Sequence, residues 1–362
     1  MDDTALQQIV ERVREARSSR TPLEIRGGGT KSWHGEAPSG EVLDTTGLVG
    51  ISSYEPTELV VTVRAGTRLA ELEATLAEQG QCLPFEPPRF GPASTVGGMV
   101  AAGIAGPTRA SAGSVRDYVL GASLLNGRAE LLGFGGQVMK NVAGYDVSRL
   151  LAGSLGILGV ICEVSLKVLP RPPATSTLRF EMDEVTAIHC LNEWGGQPLP
   201  LAASAWWDGT LVLRLAGAAA AVQSARTRLG GELVDDTLAA AFWDGLRDQR
   251  DEFFVAAMAA VAEGATLWRL SVPQVTPPLG LQGDGLVEWG GAQRWLCTTL
   301  AAADVRAAVQ RAGGHATLWR AKERATGAFA PLAPPLDRIH RELKTAFDPD
   351  RILNPGRLYP GL

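Results

Sequence analysis

The hydrophobic positions at the start of the chain predict a helix and then a strand. Residues 5–17 carry Leu6, Ile9 and Val13 on one helical face. The next segment, Leu23–Arg26, is typical of a short strand and runs directly into three consecutive glycines. This order of helix and strand is typical of a small α/β layer.

A second strand and helix follow further along the chain. Leu59–Arg64 is rich in β-branched residues and predicts a strand. Leu69, Leu72 and Leu76 then repeat at helical spacing, and Thr67 stands where a helix cap is expected. The alternation of strand and helix therefore continues as far as a proline pair and a glycine-rich region.

Past the glycine-rich region the chain predicts a hairpin, a short helix and a closing strand. Tyr118–Leu125 and Ala129–Leu132 have strand-like composition, and Asn126-Gly127 between them is a strong signal for a two-residue turn. Val147–Leu151 predicts the helix, and Ile161–Leu169 predicts the strand.

The proline-rich run at residues 170–173 is the clearest domain boundary in the sequence. It separates a first domain, residues 1–172, from a second domain, residues 174–332. The last segment, residues 336–362, begins with an amphipathic helix and continues as a chain rich in proline and glycine.

The second domain alternates predicted strands with alanine-rich helices. The strands are Leu211–Leu215, Thr266–Ser271 and Gln293–Cys297, and the helices are Gly217–Leu229 and Ala301–Ala312. This order predicts an α+β layer in which an antiparallel sheet carries helices on one face. Most of the tryptophans fall here, namely Trp194, Trp206, Trp207, Trp243, Trp268, Trp289, Trp295 and Trp319. We expect them to form core, with a subunit contact as the alternative.

Composition and charge narrow the classes of function. The chain has 362 residues, is 45% hydrophobic and carries a net charge of −5, which suits a globular protein with a substantial core. No cluster of Lys and Arg indicates binding to nucleic acid. The charged N-terminus does not resemble a signal peptide, and no apolar run is long enough to span a bilayer. We therefore expect a cytoplasmic protein without direct membrane insertion.

The spacing of cysteine and histidine gives no sign of a metal or iron–sulfur site. The cysteines are Cys82, Cys162, Cys190 and Cys297, and the histidines are His34, His189, His315 and His340. No two residues of either type stand at ligand spacing. The sequence therefore predicts no metal site, and the cysteines are expected to be buried thiols in a reducing compartment.

The sharpest chemical feature is the first glycine loop, which follows the first strand. It consists of Arg26, Gly27, Gly28, Gly29, Thr30, Lys31 and Ser32. Glycines let a backbone turn and approach a ligand closely with its amides pointing inward, as a pyrophosphate requires. A plain turn is the alternative for this loop taken alone. The loop is not a P-loop, because Thr30 stands before Lys31 where that motif needs a glycine.

A second glycine loop lies about 60 residues further on, and two phosphate-type loops suit a diphosphate that is held from two sides. It contains Pro92, Ser94, Thr95, Val96, Gly97 and Gly98 and runs on to Gly103. Ser94 and Thr95 could offer hydroxyls to phosphate and cap a short helix that begins near Val96. We therefore expect both loops to converge on one diphosphate.

Together these clusters resemble the FAD-binding PCMH-type family of vanillyl-alcohol-oxidase-like flavoproteins. A third glycine cluster, Lys140–Asp146 followed by Gly153–Ile161, is also typical of a packed helix–strand corner. With the ending Phe347–Arg357 it is similar to the branch that contains glycolate oxidase and D-lactate dehydrogenase. The resemblance covers residues 1–172 and 336–362. It implies an α+β fold with a two-subdomain FAD-binding domain, an α+β cap-like second domain and a C-terminal segment that returns to the FAD domain.

The resemblance also implies where FAD would bind. The first glycine loop would hold the pyrophosphate, and Pro92–Gly98, with Gly103 beyond it, would line the flavin and diphosphate. Gly113, Ser114 and Asp117 would lie along the middle of the cofactor. Gly159 and Ile161 would contact the ribose and adenine, and Asn354 would return the C-terminus to the flavin.

Two departures from the family pattern bear on attachment and catalysis. The first glycine loop lacks the histidine through which many members attach FAD, so we expect non-covalent binding. The second domain lacks the histidine-rich sequence that in catalytic members binds metal and places a base. His315 could approach the flavin or be structural, and Arg320 or Lys322 could pair with a carboxylate or lie at a solvated rim. The catalytic residues stay unassigned.

The resemblance implies an FAD-dependent oxidoreductase acting on CH–OH groups. It would be the FAD-binding subunit of a multi-subunit bacterial glycolate oxidase, working beside a catalytic flavoprotein subunit and an iron–sulfur subunit. Glycolate would be oxidised to glyoxylate, and any membrane association would come through the partners at the inner membrane. The alternatives are a stand-alone FAD oxidase of another 2-hydroxy acid or alcohol, and a flavin-free structural subunit.

Overall fold

The computed structural model describes residues 4–136 and 146–362, so the Lys140–Tyr145 part of the third glycine cluster lies outside the described residues. The described helices are α1 (Thr4–Ser19), α2 (Leu69–Glu78), α3 (Val96–Ala102), α4 (Arg109–Ala112), α5 (Val115–Tyr118), α6 (Val147–Leu150), α7 (Glu184–Gly195), α8 (Ala219–Leu229), α9 (Asp236–Arg247), α10 (Glu252–Ala262), α11 (Ala302–Arg311) and α12 (Pro334–Phe347).

The strands in the same part of the chain form four sheets. They are β1 (Leu23–Arg26), β2 (Glu41–Asp44), β3 (Ile51–Glu55), β4 (Val60–Arg64), β5 (Gln81–Cys82), β6 (Val119–Leu125), β7 (Leu131–Gly135), β8 (Val160–Lys167), β9 (Leu169–Pro170), β10 (Ala174–Glu181), β11 (Leu201–Trp207), β12 (Thr210–Gly217), β13 (Glu232–Val234), β14 (Thr266–Ser271), β15 (Asp284–Glu288), β16 (Gln293–Thr298) and β17 (His315–Arg320).

The chain folds into two compact units. Unit 1 comprises residues 1–104, 114–170 and 331–362, and unit 2 comprises residues 105–113 and 171–330. The short segment 105–113, which lies inside the glycine-rich region that follows the proline pair, thus belongs to unit 2. Each unit contains buried clusters of its own.

Unit 1 is built on a sheet of five antiparallel strands in the order β3-β4-β8-β6-β7. A separate parallel pair, β1 and β2, packs with α1, because Ile9 and Val13 share a buried cluster with Leu23 and Leu43. The predicted helix at residues 5–17 and the predicted strand Leu23–Arg26 are confirmed. The strand predicted at Leu59–Arg64 is confirmed as Val60–Arg64. Thr67, however, does not cap α2: the cap position is Arg68, and the Thr67 hydroxyl instead bonds to the backbone of Gly50.

The predicted hairpin forms between β6 and β7, but its turn is longer than two residues. Asn126 Oδ1 accepts hydrogen bonds from Arg128 N at 2.9 Å and from Glu130 N at 3.0 Å. The side chain of Asn126 therefore closes a loop that reaches residue 130, as asparagine does in local side-chain turns. This moves the second strand of the hairpin to Leu131–Gly135.

The C-terminal segment joins unit 1 beside β1. Leu353 forms a parallel bridge with Leu23. Leu23 N donates to Ile352 O at 2.7 Å, and Asn354 N donates to Leu23 O at 2.9 Å. Residues 352–354 therefore pair with the edge of β1, the strand that leads into the first glycine loop.

A buried ion pair fixes this return. Lys344 and Asp348 have no exposed side-chain surface, and Lys344 Nζ lies 2.7 Å from Asp348 Oδ2. The same ammonium donates to Ile157 O at 2.8 Å and to Leu353 O at 2.6 Å. Asp348 in turn accepts from the amides of Ile352 and Leu353, so every group of this pair is used.

Unit 2 contains an eight-stranded antiparallel sheet in the order β13-β10-β12-β11-β15-β16-β14-β17. One face packs on α7, α8 and α11 through apolar residues such as Leu178 and Leu296. The neighbouring residues Thr177 and Trp295 point to the other face, where they contact Trp243 of α9 and Phe254 of α10. The predicted antiparallel sheet is confirmed. The prediction that helices cover only one of its faces was wrong, because both faces carry helices.

The tryptophans of unit 2 belong mainly to its core. Five are at most 7% exposed, namely Trp243, Trp268, Trp289, Trp295 and Trp319, whereas Trp194, Trp206 and Trp207 are partly exposed. Their indole N–H groups find acceptors, as buried indoles require. The prediction of a core role is therefore confirmed for these five.

Glu288 places a carboxyl group inside the sheet of unit 2. It is 4% exposed, and its Oε2 accepts from Gln293 Nε2 at 2.9 Å and from Trp295 Nε1 at 2.5 Å. Burial raises the pKa of Glu288 to about 7, although these two hydrogen bonds oppose the rise. The folded chain therefore holds this proton more tightly than the unfolded chain does.

We expect Glu288→Gln to stabilise the protein at alkaline pH and not at pH 4. Ionising Glu288 destabilises the fold as pH rises from the unfolded pKa of 4.5 to the folded pKa of about 7. Above that window the substitution should raise the free energy of unfolding by about 3 kcal/mol, since glutamine keeps the acceptor without the charge. Urea denaturation at several pH values measures this, and equal stabilisation at pH 4 and pH 8 would contradict it.

Candidate functional site

Unit 1 contains a cleft lined by residues of both glycine loops. The sequence-predicted residues that line it are Arg26, Gly27, Gly28, Gly29, Thr30, Lys31, Ser32, Thr95, Gly97, Gly98, Gly159, Ile161 and Asn354. The expectation that the two loops converge is confirmed. That these residues bind the cofactor stays a prediction.

The backbone of the first glycine loop offers free donors to this cleft. Within residues 4–136 and 146–362, the amide N–H groups of Gly27, Gly28, Gly29 and Thr30 donate to no acceptor. Gly29 has a φ of 69°, the left-handed conformation that turns successive amides toward one point. Consecutive amides in such a turn form a concave site for an anion.

The first loop reaches the second by direct contact of backbones. A Cβ atom on Gly28 would lie 1.5 Å from Ala93 O, and one on Gly27 would lie 2.5 Å from Thr95 Oγ1. Ala93 O is held in place because Arg68 Nη1 donates to it at 2.6 Å. Only glycine therefore allows the two loops to close on each other at Gly28.

The charged side chains of the first loop are tied to the protein. Arg26 donates to both carboxylate oxygens of Glu24, at 2.9 and 2.7 Å, and remains partly exposed to the cleft. Lys31 Nζ donates to Ser94 Oγ at 2.8 Å, which links the first loop to the second. These contacts orient one guanidinium and one ammonium at the mouth of the anion site.

The second loop contributes shape rather than free donors. Thr95 caps α3, as predicted, by accepting from Gly98 N at 3.3 Å. Val96 N donates to Thr67 O at 2.9 Å, and Gly97 N donates to Ala65 O at 2.7 Å. The amides at the start of α3 are thus used inside the protein, so Gly97 and Gly98 offer close approach to a ligand and the first loop supplies the donors.

Several predicted site residues do not line the cleft. They are Pro92, Ser94, Val96, Gly103, Gly113, Ser114 and Asp117. Ser94 is 2% exposed and its Oγ accepts a hydrogen bond from Lys31 Nζ, and its expected hydroxyl contact with phosphate stays a prediction. Gly103 ends α3 with a φ of 63°.

Ser114 and Asp117 have a local structural role. Ser114 N and Ser114 Oγ both lie 2.8 Å from Asp117 Oδ2, and the pair forms a capping box at α5. Gly113, just before it, belongs to unit 2 with residues 105–113. They lie outside the described lining of this cleft, and their expected position along the middle of the cofactor stays a prediction.

Asn354 joins the C-terminal segment to two walls of the cleft. Its Oδ1 accepts from Ile25 N at 2.7 Å, and its Nδ2 donates to Leu155 O at 2.6 Å. A Cβ atom on Gly156 would lie 2.6 Å from Asn354 Nδ2, so glycine is needed there. Asn354 thus sets the spacing between β1 and the turn that precedes β8.

We expect Asn354→Leu to widen this part of the cleft. The substitution leaves Ile25 N and Leu155 O without their partner, at a cost of about 2 kcal/mol or more. Binding of FAD should weaken with it, whereas Asn354→Asp, which keeps the acceptor for Ile25, should lose less. Urea denaturation and titration of the apoprotein with FAD measure both effects, and wild-type values for Asn354→Leu would refute this role.

The cleft also contains residues that the sequence did not single out. These are Glu24, Ile25, Thr45, Ala65, Ala101, Ala102, Leu155, Gly156 and Arg357. Thr45 follows β2, whose parallel pairing with β1 places it beside Arg26. Arg357 donates to Ser32 O at 2.7 Å. The alternation of side chains along β1 could have indicated Glu24 as a residue that lines the cleft. The parallel pairing that places Thr45 there leaves no local signal in the sequence.

The lining suits a dinucleotide held without a covalent bond. It offers four free amides, two tied cations and close-approach glycines, with apolar Ile161 and Leu155 further along. No histidine, cysteine or tyrosine is among the described residues that line it. Its carboxylate, Glu24, is committed to Arg26, so the described lining contains no free general base.

A metal site and a membrane-spanning helix each place requirements on the described part of the chain. No group of three or more His, Cys, Asp or Glu residues there could hold a metal ion. Nor does any helix within those residues combine the length and apolarity that crossing a bilayer requires.

Comparison with known proteins places the chain among flavoproteins. The FAD binding domain family matches residues 4–135. The solved structure of an alkyldihydroxyacetonephosphate synthase superposes with a TM-score of 0.63 and 15% identity, covering 96% of this chain and 74% of the other, which shows the shared fold.

Two curated relatives share a name for their activity. Glycolate oxidase subunit GlcD of Bacillus subtilis is 32% identical over 170 residues, covering 46% of this chain and 36% of the relative. Glycolate oxidase subunit GlcE of Escherichia coli is 46% identical over 356 residues, covering 98% of each chain. On this identity and coverage, the protein belongs to the family of the glycolate oxidase subunit GlcE, with FAD as its cofactor.

Proposed function

We propose that this chain is the FAD-binding subunit of a multi-subunit glycolate oxidase and that it holds FAD non-covalently in the cleft of unit 1. The observation that carries this proposal is the set of free amides at Gly27–Thr30, placed against the second glycine loop. A pyrophosphate supplies the negative charge and the acceptor oxygens that such a site needs.

The residues of the cleft divide this task. The first loop would bind the pyrophosphate through its amides, with Arg26 and Lys31 adding positive charge at the mouth. Gly97 and Gly98 would allow close approach, and Ile161 would pack against the adenosine part. Arg357 and Asn354 would close the cleft from the C-terminal segment.

When bound, FAD supplies the redox chemistry by accepting two electrons from an alcohol carbon. The chain binds and orients the cofactor and excludes water from it. In the complex, glycolate would be oxidised to glyoxylate and the electrons would pass to an iron–sulfur subunit. Because the described cleft lacks a free base, a catalytic flavoprotein partner would provide the proton acceptor. The complex would be cytoplasmic or peripheral at the inner membrane through its partners.

Purification of the chain alone and with its partner subunits tests this proposal. We expect the isolated chain to be yellow, to release FAD on denaturation, and to stay oxidised when glycolate is added. The assembled complex should reduce an artificial electron acceptor with glycolate. Bleaching of the isolated chain by glycolate would support a stand-alone oxidase instead. A colourless chain that refuses FAD within an active complex would support a structural subunit.

A further inference from the structure

Unit 2 brings two guanidinium groups against one indole ring. The Cζ atom of Arg109 lies 4.7 Å from the centroid of the Trp289 ring, and that of Arg269 lies 5.5 Å from it. Trp289 is 7% exposed, and its Nε1 donates to Gly106 O at 3.1 Å. The ring is therefore a fixed surface that both guanidinium groups contact. All four residues, Arg109, Arg269, Trp289 and Gly106, lie in unit 2.

A second indole holds Arg269 from another direction. The Cζ atom of Arg269 lies 5.4 Å from the Trp319 centroid, and Trp319 Nε1 donates to Gln249 Oε1 at 2.9 Å. Trp319 is 1% exposed, whereas Arg269 is partly exposed. Contact with two fixed rings orients a planar guanidinium in advance and leaves its hydrogen-bond donors available.

Two other arginines of unit 2 with little exposed side-chain surface have acidic partners. Arg247 pairs with Asp244 and Asp248, and Arg294 pairs with Glu184. Among residues 4–136 and 146–362, neither Arg109 nor Arg269 forms an ion pair or a hydrogen bond through its side chain. The unit thus holds two positive charges together without a carboxylate in contact.

The electrostatics of Arg269 reflect this arrangement. Burial and then the charge of Arg109 lower the pKa of Arg269 to about 10, and the charge of Glu288 opposes the decrease. Glu288 is not a contact partner, because its Oε2 is bonded to Trp295 and Gln293. Bringing like charges together is unfavourable, and an anion bound beside them reduces that cost.

Hydroxyl groups stand on the same face of the sheet as Arg269. Thr317 is directly opposite Arg269 in the β14–β17 pair, and Ser271 is two residues further along β14, opposite His315. Both hydroxyl-bearing residues are partly exposed, and in the described structure neither hydroxyl forms a hydrogen bond. Burial and the charge of Arg269 lower the pKa of His315, so its ring stays neutral at neutral pH.

We propose that Arg269, supported by Arg109, binds the carboxylate of a small 2-hydroxy acid on this face of unit 2, with Thr317 and Ser271 as hydroxyl partners. The choice of a 2-hydroxy acid rests on the proposed function. The guanidinium fork matches a planar carboxylate with two parallel hydrogen bonds, and a nearby hydroxyl suits the 2-hydroxy group. The Cζ atom of Arg320, a residue that the sequence indicated for such a role, lies 5.8 Å from the Trp319 centroid.

Calorimetric titration of the FAD-loaded chain with glycolate tests the site. We expect Arg269→Met to weaken glycolate binding on the order of 10- to 100-fold, the loss of one charge-assisted pair. The affinity of Arg269→Lys for glycolate should lie between those of the wild type and Arg269→Met, because lysine keeps the charge and loses the fork of two parallel donors. Glycolamide, which lacks the carboxylate charge, should bind poorly to every form.

Arg214→Met is the matched control. Arg214 lies on the same sheet and stacks on an indole, 4.9 Å from the Trp243 centroid, but far along the strand order from Arg269. It should leave glycolate binding unchanged while removing the same kind of cation–ring contact. If Arg269→Met destabilises the chain, Arg269→Lys retains the positive charge and still distinguishes the outcomes.

Several results would overturn the inference while leaving the proposed function intact. One is wild-type glycolate affinity in a yellow, folded Arg269→Met chain. Another is a wild-type chain that loads FAD and supports the active complex but binds no glycolate. A third is tight binding of inorganic phosphate with none of glycolate, which would assign the site to another anion. Failure to load FAD, in contrast, would count against the proposed function alone.

Discussion

Gly28→Ala is expected to yield a folded but colourless protein. A Cβ atom at this position would lie 1.5 Å from Ala93 O, a backbone atom that Arg68 holds in place. The two glycine loops must therefore move apart, which displaces the free amides of the first loop from the diphosphate position. Overpacking of this kind costs about 1–3 kcal/mol, so FAD binding should weaken about 10- to 100-fold or more.

The flavin absorbance of the purified chain and titration of the apoprotein with FAD measure this effect. Gly133→Ala is the matched control, because a Cβ atom on that β7 glycine meets no atom within 4 Å. It should retain the wild-type flavin content. A Gly28→Ala chain that purifies with full FAD would show that the loops do not converge on the cofactor.

Lys344→Met should produce the largest loss of stability among the changes considered. The ammonium of Lys344 neutralises Asp348 where both side chains are fully buried, and it also bonds to two backbone carbonyls. Removing it leaves an uncompensated buried carboxylate, which costs about 3–5 kcal/mol. The C-terminal segment should detach with it, so the chain should also lose FAD more readily.

Urea denaturation followed by circular dichroism gives the free energy of unfolding. Arg338→Met is the control on the same helix, because Arg338 and Glu342 form an exposed i,i+4 pair, and no measurable change is expected. Adding Asp348→Asn to Lys344→Met should recover part of the loss, since asparagine carries no charge and its one carbonyl oxygen still accepts one of the two amides, that of Ile352 or that of Leu353. Equal stability of Lys344→Met and the wild type would contradict the proposed anchor.

Local sequence patterns were sufficient to predict the glycine loops and many of the helices and strands of unit 1. A strand running into three glycines indicated the anion site, and the resemblance to flavoproteins brought Asn354 and Ile161 to the same cleft. Capping residues were ambiguous, because Ser, Thr and Asp serve helix ends and ligands equally well. The sequence could not show that Ser94 and Asp117 form hydrogen bonds within the protein, and their predicted contact with the cofactor stays a prediction.

The sequence also contains capping signals for three helices of unit 2. Asp183, Asp235 and Asp251 each cap a helix by accepting from the backbone of its first turn. The cation–indole site could not have been found by such patterns. Arg109 meets Trp289 across 180 positions of sequence, and only the folded sheet brings them together.

The return of the C-terminal segment has a consequence for biosynthesis. Asn354 and Arg357 line the cleft of a unit whose glycine loops lie in the first hundred residues. A ribosome-bound chain that has completed those loops still lacks one wall of the binding site. If the cleft binds FAD as proposed, we expect tight binding of the cofactor only after residues 354–357 have been synthesised and folded, and a chain truncated before residue 354 should bind FAD weakly, however well its earlier part folds.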